Sequence, residues 1–456
     1  MSIVLFKHQQ RFVEIARERP RFGFFASPGV GKTIAIYAIN AEIPLKTVVL
    51  APKSILYAAW ARDGEHFPDT RVRVLNSDTK NRVGAINAGD WDLLVTNYEM
   101  FKKHGGDLIG AGVKRLVVDE SSKLKNPTAA ITRHVWAFAD KMESVYLLSG
   151  TPAPNSGVEY YGQLRALGPL VAGRSFYSFE ATYFHRITNK IRVKGGMTRT
   201  VTVGHGQTPG QLACLQALLK KHSWSLRKED CMDLPPKTDV VIRVSLEKEA
   251  DHYARAVNEL KIETGNGEKS FRAEASMMKL RQIVNGSVKI GGISEKIGTS
   301  KMEALDELLD ELGSEPVVIW AEFTEDIKEI QVLLMRRKEE YGVIDGRTSG
   351  EAGDTAAAFQ GGKIKRLVCH PQAAGHGITL TAASYAIYFS LSFSYEQYEQ
   401  SRDRIHRAGQ TRPCTYYHLI ASGTVDETCL KVVRRKASAA DAVRMVLAQT
   451  NEPQPA

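Results

Sequence analysis

The sequence predicts an α/β protein of two lobes, each a mainly parallel sheet flanked by helices. Three observations predict it. Short apolar, β-rich runs alternate with helical patterning, the mark of parallel strands covered on both faces. The alternation occurs in two separate series, one in each half of the chain. The chain has 456 residues, enough for several domains that each bury a core.

The first series runs RFGFFA (21–26), TVVLA (47–51), DLLVT (92–96), RLVVDE (115–120) and SVYLLSG (144–150). The second runs PVVIWA (316–321), YGVIDG (341–346), KRLVCH (365–370), YAIYFS (385–390) and TYYHLI (415–420). Residues 155–300 are less regular. There Ile191 and Val193 alternate with Arg192 and Lys194, and Gly195-Gly196 permits a tight turn, so NKIRVKGGMTRTVTV (189–203) reads as a hairpin with a cationic face. One helix is expected over 300–313: Ser300 and Glu303 stand at capping-box spacing, Met302, Leu305, Leu308, Leu309 and Leu312 form an apolar stripe, and Gly313 suits the stop. The expected division is a first lobe over 1–230 carrying the hairpin, a second over 231–445, and a disordered tail over 446–456.

Composition narrows the classes. Lys and Arg number 61 against 51 Asp and Glu, a net charge of +10 that suits a polyanionic partner. The five cysteines form no C-x-x-C pair, which argues against a zinc knuckle or a disulfide framework and fits reduced thiols in cytoplasm. No apolar run of the ~18 residues needed for a membrane span occurs, and no signal-like stretch opens the chain.

The strongest local signal is ASPGVGKT (26–33), between a strand and a helical segment. Glycines such as Gly29 and Gly31 let backbone N–H groups converge on phosphate oxygens, and the helix N-terminus adds a favourable dipole. Lys32 would pair with the terminal phosphates of ATP, and Thr33 would coordinate Mg²⁺. The first position of the strict pattern is Gly; here it is Ala26. RLVVDESS supplies the acidic partners, Asp119 for the metal and Glu120 to orient or deprotonate the attacking water.

These motifs, followed by LLSGTPAPN, resemble motifs I, II and III of superfamily 2 helicases, and more narrowly the Swi/Snf-type DNA-translocating ATPases. LFKHQQ (5–10) resembles the adenine-recognition motif, with Gln9 as the implied adenine reader. VVLAPKSILYAAW (48–60) and VTNYEMFKK (95–103) resemble motifs Ia and Ib. LRKEDCMDLPPK (226–237) and KLRQIVNGS (279–287) resemble the inter-lobe signatures. VVIWAEFTEDIKEI (317–330), AAGHGITLTAAS (373–384) and QSRDRIHRAGQ (400–410) resemble motifs IV, V and VI. The resemblance covers about residues 3–435 and implies two RecA-like lobes without an accessory reader domain; such compactness resembles phage-encoded members. Two positions depart from the family pattern: Ser122 where a His is common, and Thr379 where motif V commonly has Asn.

In motif VI, Gln400, Arg404 and Arg407 recur at i, i+4, i+7 and are expected on one helix face, with the arginines as fingers for the transition-state charge. The resemblance implies sequence-independent phosphate contacts from Lys53, Ser54, Thr96, Ser349 and Thr381. Trp60 reads as core, Tyr395 and Tyr398 as packing near the lobe interface, and His406 as structural or interface-forming. The implied protein is a monomeric, cytoplasmic ATPase that uses Mg²⁺ and translocates on duplex DNA. Its rivals are a strand-separating or branch-migrating helicase, with the 189–203 hairpin as wedge, and a non-hydrolysing nucleic-acid scaffold, against which the intact Lys32, Asp119, Glu120, Arg404 and Arg407 argue.

Overall fold

A computed structural model describes residues 4–154, 156–192, 198–231, 233–265, 270–290, 293–348, 351–374 and 378–435. The chain divides into two compact units, one of Met1–Lys190 and Thr200–Asp233, the other of Ile191–Arg199 and the chain from Leu234 on.

The first unit is built on β1 (Arg21–Ala26), β2 (Thr47–Leu50), β3 (Val72–Leu75), β4 (Leu93–Thr96), β5 (Arg115–Asp119) and β6 (Ser144–Leu148). A separate ribbon follows, β7 (His185–Arg192) with β8 (Thr198–Gly206), and then β9 (Ser223–Leu226). The main sheet has the order β3-β4-β2-β5-β6-β1-β9, and its described pairings are parallel. Period-two alternation serves two cores. Val48, Leu50, Leu116 and Val118 join one buried cluster, and Val49 and Val117 join the cluster on the opposite face.

The second unit holds β10 (Lys237–Val244), the ribbon β11 (Ser287–Ile290) and β12 (Ile293–Lys296), then β13 (Val317–Trp320), β14 (Tyr341–Ile344), β15 (Arg366–Cys369), β16 (Tyr385–Tyr388) and β17 (Cys414–Ala421). Its main sheet has the order β10-β17-β16-β13-β15-β14, again with parallel pairings. Val318, Trp320, Leu367 and Cys369 pack on one face, and Val317, Ile319 and Val368 on the other. Both units therefore have the expected α/β class. Because the strands of each sheet are parallel, the loops leaving their C-terminal ends gather on one edge of it, where ligands of such folds bind.

The strands that sequence patterning does not single out are the sheet-edge strands β3, β9 and β10 and the ribbon β11–β12. Edge strands need fewer apolar residues: Arg73 sits inside β3, and most of β10 is exposed or half-buried. The helix Ser300–Leu312 forms as expected, but its cap is a correction. Thr299 is the N-cap residue, and Ser300 instead gives its backbone N–H and its hydroxyl to the buried Glu249 carboxylate at 3.0 and 2.8 Å. A buried carboxylate needs such donors, and that need overrides the capping box. The cationic hairpin is found as β7–β8; residues 193–197 between the two strands, and the expected tail over 446–456, lie outside the described residues.

Candidate functional site

In the first unit, the chain leaves β1 into residues 27–31 and enters the helix Lys32–Glu42. Gly29 and Gly31 adopt left-handed φ of 81° and 74°, which side chains disfavour. Position 31 is also closed sterically, since a Cβ there would lie 2.2 Å from Gln9 Nε2.

Neighbouring elements hold this loop. Gln9 accepts from the Phe6 N–H at 3.0 Å and donates to the Gly31 carbonyl at 3.3 Å. His8 Nε2 meets the Val30 carbonyl at 2.9 Å. The Ser27 N–H donates to the Leu226 carbonyl, and the Lys228 N–H to the Ser27 hydroxyl. Gly150 packs so closely on Pro28 that a Cβ would come within 2.6 Å of its ring. Lys32 Nζ donates to the Ala26 and Ser27 carbonyls at 2.7 and 3.1 Å. Thr33 follows it in the first turn of the same helix.

Asp119 ends β5, is 7% exposed, and is gripped at both oxygens. Trp60 Nε1 donates to Oδ2 at 2.9 Å, and the Glu120 N–H donates to Oδ1 at 3.0 Å. Burial pushes the Asp119 carboxyl upward; the Lys32 ammonium and then the Trp60 and Glu120 donors oppose that shift. Glu120 holds φ 53°, a left-handed conformation that costs a non-glycine residue about 1–2 kcal/mol. Tyr98 donates to the Asp119 carbonyl at 2.5 Å, pinning the strand end beneath it.

The donor set fits Mg²⁺. A carboxylate and a hydroxyl are hard oxygen ligands, and Mg²⁺ takes few protein ligands, completing its shell with phosphate and water. No group of three or more His, Cys, Asp or Glu capable of holding a metal gathers among the described residues.

In the second unit, the helix Tyr395–Ile405 carries Gln400 and Arg404 but stops before Arg407, with His406 as C-cap. The expectation of one helix face for all three is corrected here. The His406 ring bonds the Pro235 carbonyl at 2.8 Å, and the chain turns away. The two arginines meet nonetheless, both donating to the Ile378 carbonyl, at 3.2 Å from Arg404 and 3.4 Å from Arg407. Arg404, which also bonds the Gln400 carbonyl, is buried; Arg407 is the more accessible. Gln400 is buried beside Glu396. Tyr398 lies in this unit's own core, its hydroxyl 3.0 Å from His418 Nε2, a correction to its expected interface role.

The five nucleic-acid candidates fare unequally. Lys53 is exposed at the start of the 3₁₀ turn Lys53–Ile55, which also contains Ser54. Thr96 is fully buried with its hydroxyl on the Leu75 carbonyl at 2.9 Å, so it does not face a phosphate, which is a correction. Thr381 is half-buried, accepting from Gln360 at 3.1 Å. Ser349 lies outside the described residues. Sequence reading missed Lys102 and Lys123, which with Lys53, Asn97 and Tyr98 line a cleft of about 440 Å³. Their signal was available: Lys102 stands one helical turn after Tyr98, and Lys123 follows the acidic motif.

Comparison with known proteins bears on both units. The model of the SNF2-related domain matches residues 8–288, and that of the helicase conserved C-terminal domain matches residues 300–409. "Putative protein p41" of Acyrthosiphon pisum secondary endosymbiont phage 1 is 26% identical over 444 residues, covering 90% of this chain and 91% of that protein. The mouse "SWI/SNF-related matrix-associated actin-dependent regulator of chromatin subfamily A member 1" is 28% identical over 430 residues, 88% of this chain but 39% of that protein. Human "Chromodomain-helicase-DNA-binding protein 7" is 26% identical over 451 residues, 87% of this chain but 14% of that protein. The chain thus spans well under half the length of these two animal relatives. A solved structure, "Sulfolobus solfataricus SWI2/SNF2 ATPase core in complex with dsDNA", aligns with 98% of this chain and 94% of that one at 22% identity and a TM-score of 0.43.

Proposed function

The chain belongs to the SNF2-related family, with a helicase conserved C-terminal domain following, and on that premise we propose that it is an ATP-hydrolysing translocase on double-stranded DNA. One observation carries the catalytic half of this reading: the buried Asp119 carboxylate stands in the field of the phosphate-loop Lys32, with the strained Glu120 beside it.

In this reading the 27–33 loop binds the phosphates of ATP through its backbone N–H groups, and the Lys32 ammonium offsets their charge. Asp119 and Thr33 would hold Mg²⁺, which when bound would neutralise developing phosphate charge. Glu120 orients the attacking water and takes its proton. Arg404 and Arg407 offset charge that develops in the transition state. Lys32, Thr33, Asp119 and Glu120 belong to the first unit, and Arg404 and Arg407 to the second.

The nucleic-acid half rests on the lysine-lined cleft. Lys53, Lys102 and Lys123 offer point charges to a phosphate backbone and none of the fork geometry that reads base edges, so binding is sequence-independent. Thr381 is the candidate contact of the second unit. A strand-separating reading has one observation in its favour: β7–β8 stands as a sheet of its own, and residues 185–206 contain Arg186, Lys190, Arg192, Lys194 and Arg199 without an Asp or Glu. Steady-state ATP turnover with and without duplex DNA tests the main reading; displacement of a strand from forked DNA tests the second.

A further inference from the structure

A buried amide joins the acidic motif to the Gly150–Pro152 loop. Ser121 directly follows Glu120, is fully buried, and donates its hydroxyl to Gln163 Oε1 at 2.8 Å. Gln163, itself fully buried on the helix Tyr160–Leu167, turns Nε2 to the Pro152 carbonyl at 2.5 Å. Both ends of one carboxamide are thereby used. A glutamate would lose the donor, and an apolar residue would lose both ends and leave buried polar atoms without partners.

The helix bearing Gln163 has little freedom to drift. At Gly162 a Cβ would lie 1.9 Å from the Leu124 carbonyl, so helix and 3₁₀ turn touch backbone to backbone. Trp136 Nε1 donates to the Gly162 carbonyl at 2.7 Å from the other side. The 3₁₀ turn Ser121–Leu124 has Glu120 as its N-cap residue, in the left-handed conformation noted above. The opposite end of the connection reaches the phosphate loop, because Gly150 abuts Pro28. A continuous path of contacts thus runs from Pro28 through Gly150, Pro152, Gln163 and Ser121 to Glu120.

We propose that Gln163 is a positioning residue for ATP hydrolysis: it holds the Glu120 turn in register with the phosphate loop, so its loss slows turnover without weakening nucleotide binding. The inference rests on the ATPase reading. The test uses the full chain with saturating duplex DNA and compares wild type, Gln163→Met, Ser121→Ala and the double variant in kcat, KM for ATP and thermal midpoint. Each single variant is expected to lose about tenfold or more in kcat, the scale of a small misplacement of a reacting group, with KM within about twofold. The double variant is expected to be no slower than the slower single, because both hydrogen bonds belong to one connection. Should Gln163→Met lower the midpoint, Ser121→Ala, which removes one hydroxyl, carries the comparison. Unchanged kcat in both singles, KM rising in step with the loss of kcat, or multiplicative effects in the pair would each overturn the inference and leave Gln163 a packing residue. A wild type that turns over no ATP overturns the ATPase reading and this inference with it; an active wild type beside an unaltered Gln163→Met overturns the inference alone.

Discussion

The indole N–H of Trp60 donates to Asp119 Oδ2 at 2.9 Å, across 59 residues of sequence. Trp60 lies in a π-helical turn, Leu56–Ala61, and its carbonyl accepts from Tyr37 on the phosphate-loop helix at 2.6 Å. Single π-turns often mark functional positions. Here the turn holds the phosphate-loop helix through the Trp60 carbonyl and the metal-binding candidate through its indole.

Trp60→Phe keeps an aromatic ring and removes the donor. We predict that the Mg²⁺ concentration for half-maximal ATP turnover rises severalfold, the scale of losing a hydrogen bond to a charged group. A Mg²⁺ titration of ATPase activity checks it, and an unshifted midpoint would reduce Trp60 to core packing.

Lys32→Ala should abolish hydrolysis and leave the circular dichroism unchanged, since the ammonium serves the loop and no hydrophobic core. Retention of more than about a tenth of wild-type turnover, equivalent to a barrier change under about 1.4 kcal/mol, would remove Lys32 from the reaction.

The two arginines should separate. Arg407→Ala is predicted to lower kcat by on the order of 10³ with ATP binding little changed, because the charge it offsets develops in the transition state. Arg404→Ala should lower kcat too, and also the thermal midpoint, since Arg404 is buried and ties the Gln400 and Ile378 carbonyls together. Kinetics, nucleotide binding and thermal melts on the two variants distinguish the outcomes.

Asp326 gives a pH prediction in the second unit. It is buried, accepts from Ser390 and Asn285 at 2.8 Å each, and its carboxyl is pushed up to about 7, by burial first, against Ser390, Lys301 and Arg281. A folded-state value above the unfolded one means that the native chain binds the extra proton. This contribution to stability is full below the unfolded value, near 4, and is lost as pH rises through about 7. Asp326→Asn removes the titration, so its midpoint should gain on wild type between pH 5 and 8, by a free energy on the order of a few kcal/mol. Thermal melts across that range check it; a constant gap contradicts the assignment.

How much of this was legible in the sequence differs by kind. The central strands were, because a strand buried on both faces is a continuous apolar run, as in TVVL and VVIW. The glycine-turned loop between β1 and the helix Lys32–Glu42 was, because Gly29 and Gly31 stand just before the helix starts. Edge strand β10 was not, because one exposed face dilutes the pattern. Among site residues, the approach of Arg404 to Arg407 followed from spacing, although through a shared carbonyl and not a common helix face. Thr96 misled because a threonine at a strand end satisfies its hydroxyl inward as readily as outward. Trp60 and Gln163 act through partners 59 and 42 residues away; no local pattern encodes such a bond.

The central claim, an ATPase driven by duplex DNA, is tested most directly by steady-state ATP turnover at two salt concentrations with no nucleic acid, duplex DNA, single-stranded DNA or RNA. The account predicts stimulation by duplex DNA that falls steeply with salt, because the contacts are lysines on phosphates and binding releases counterions. Equal turnover with and without every nucleic acid would contradict it, and stimulation by RNA alone would contradict its substrate.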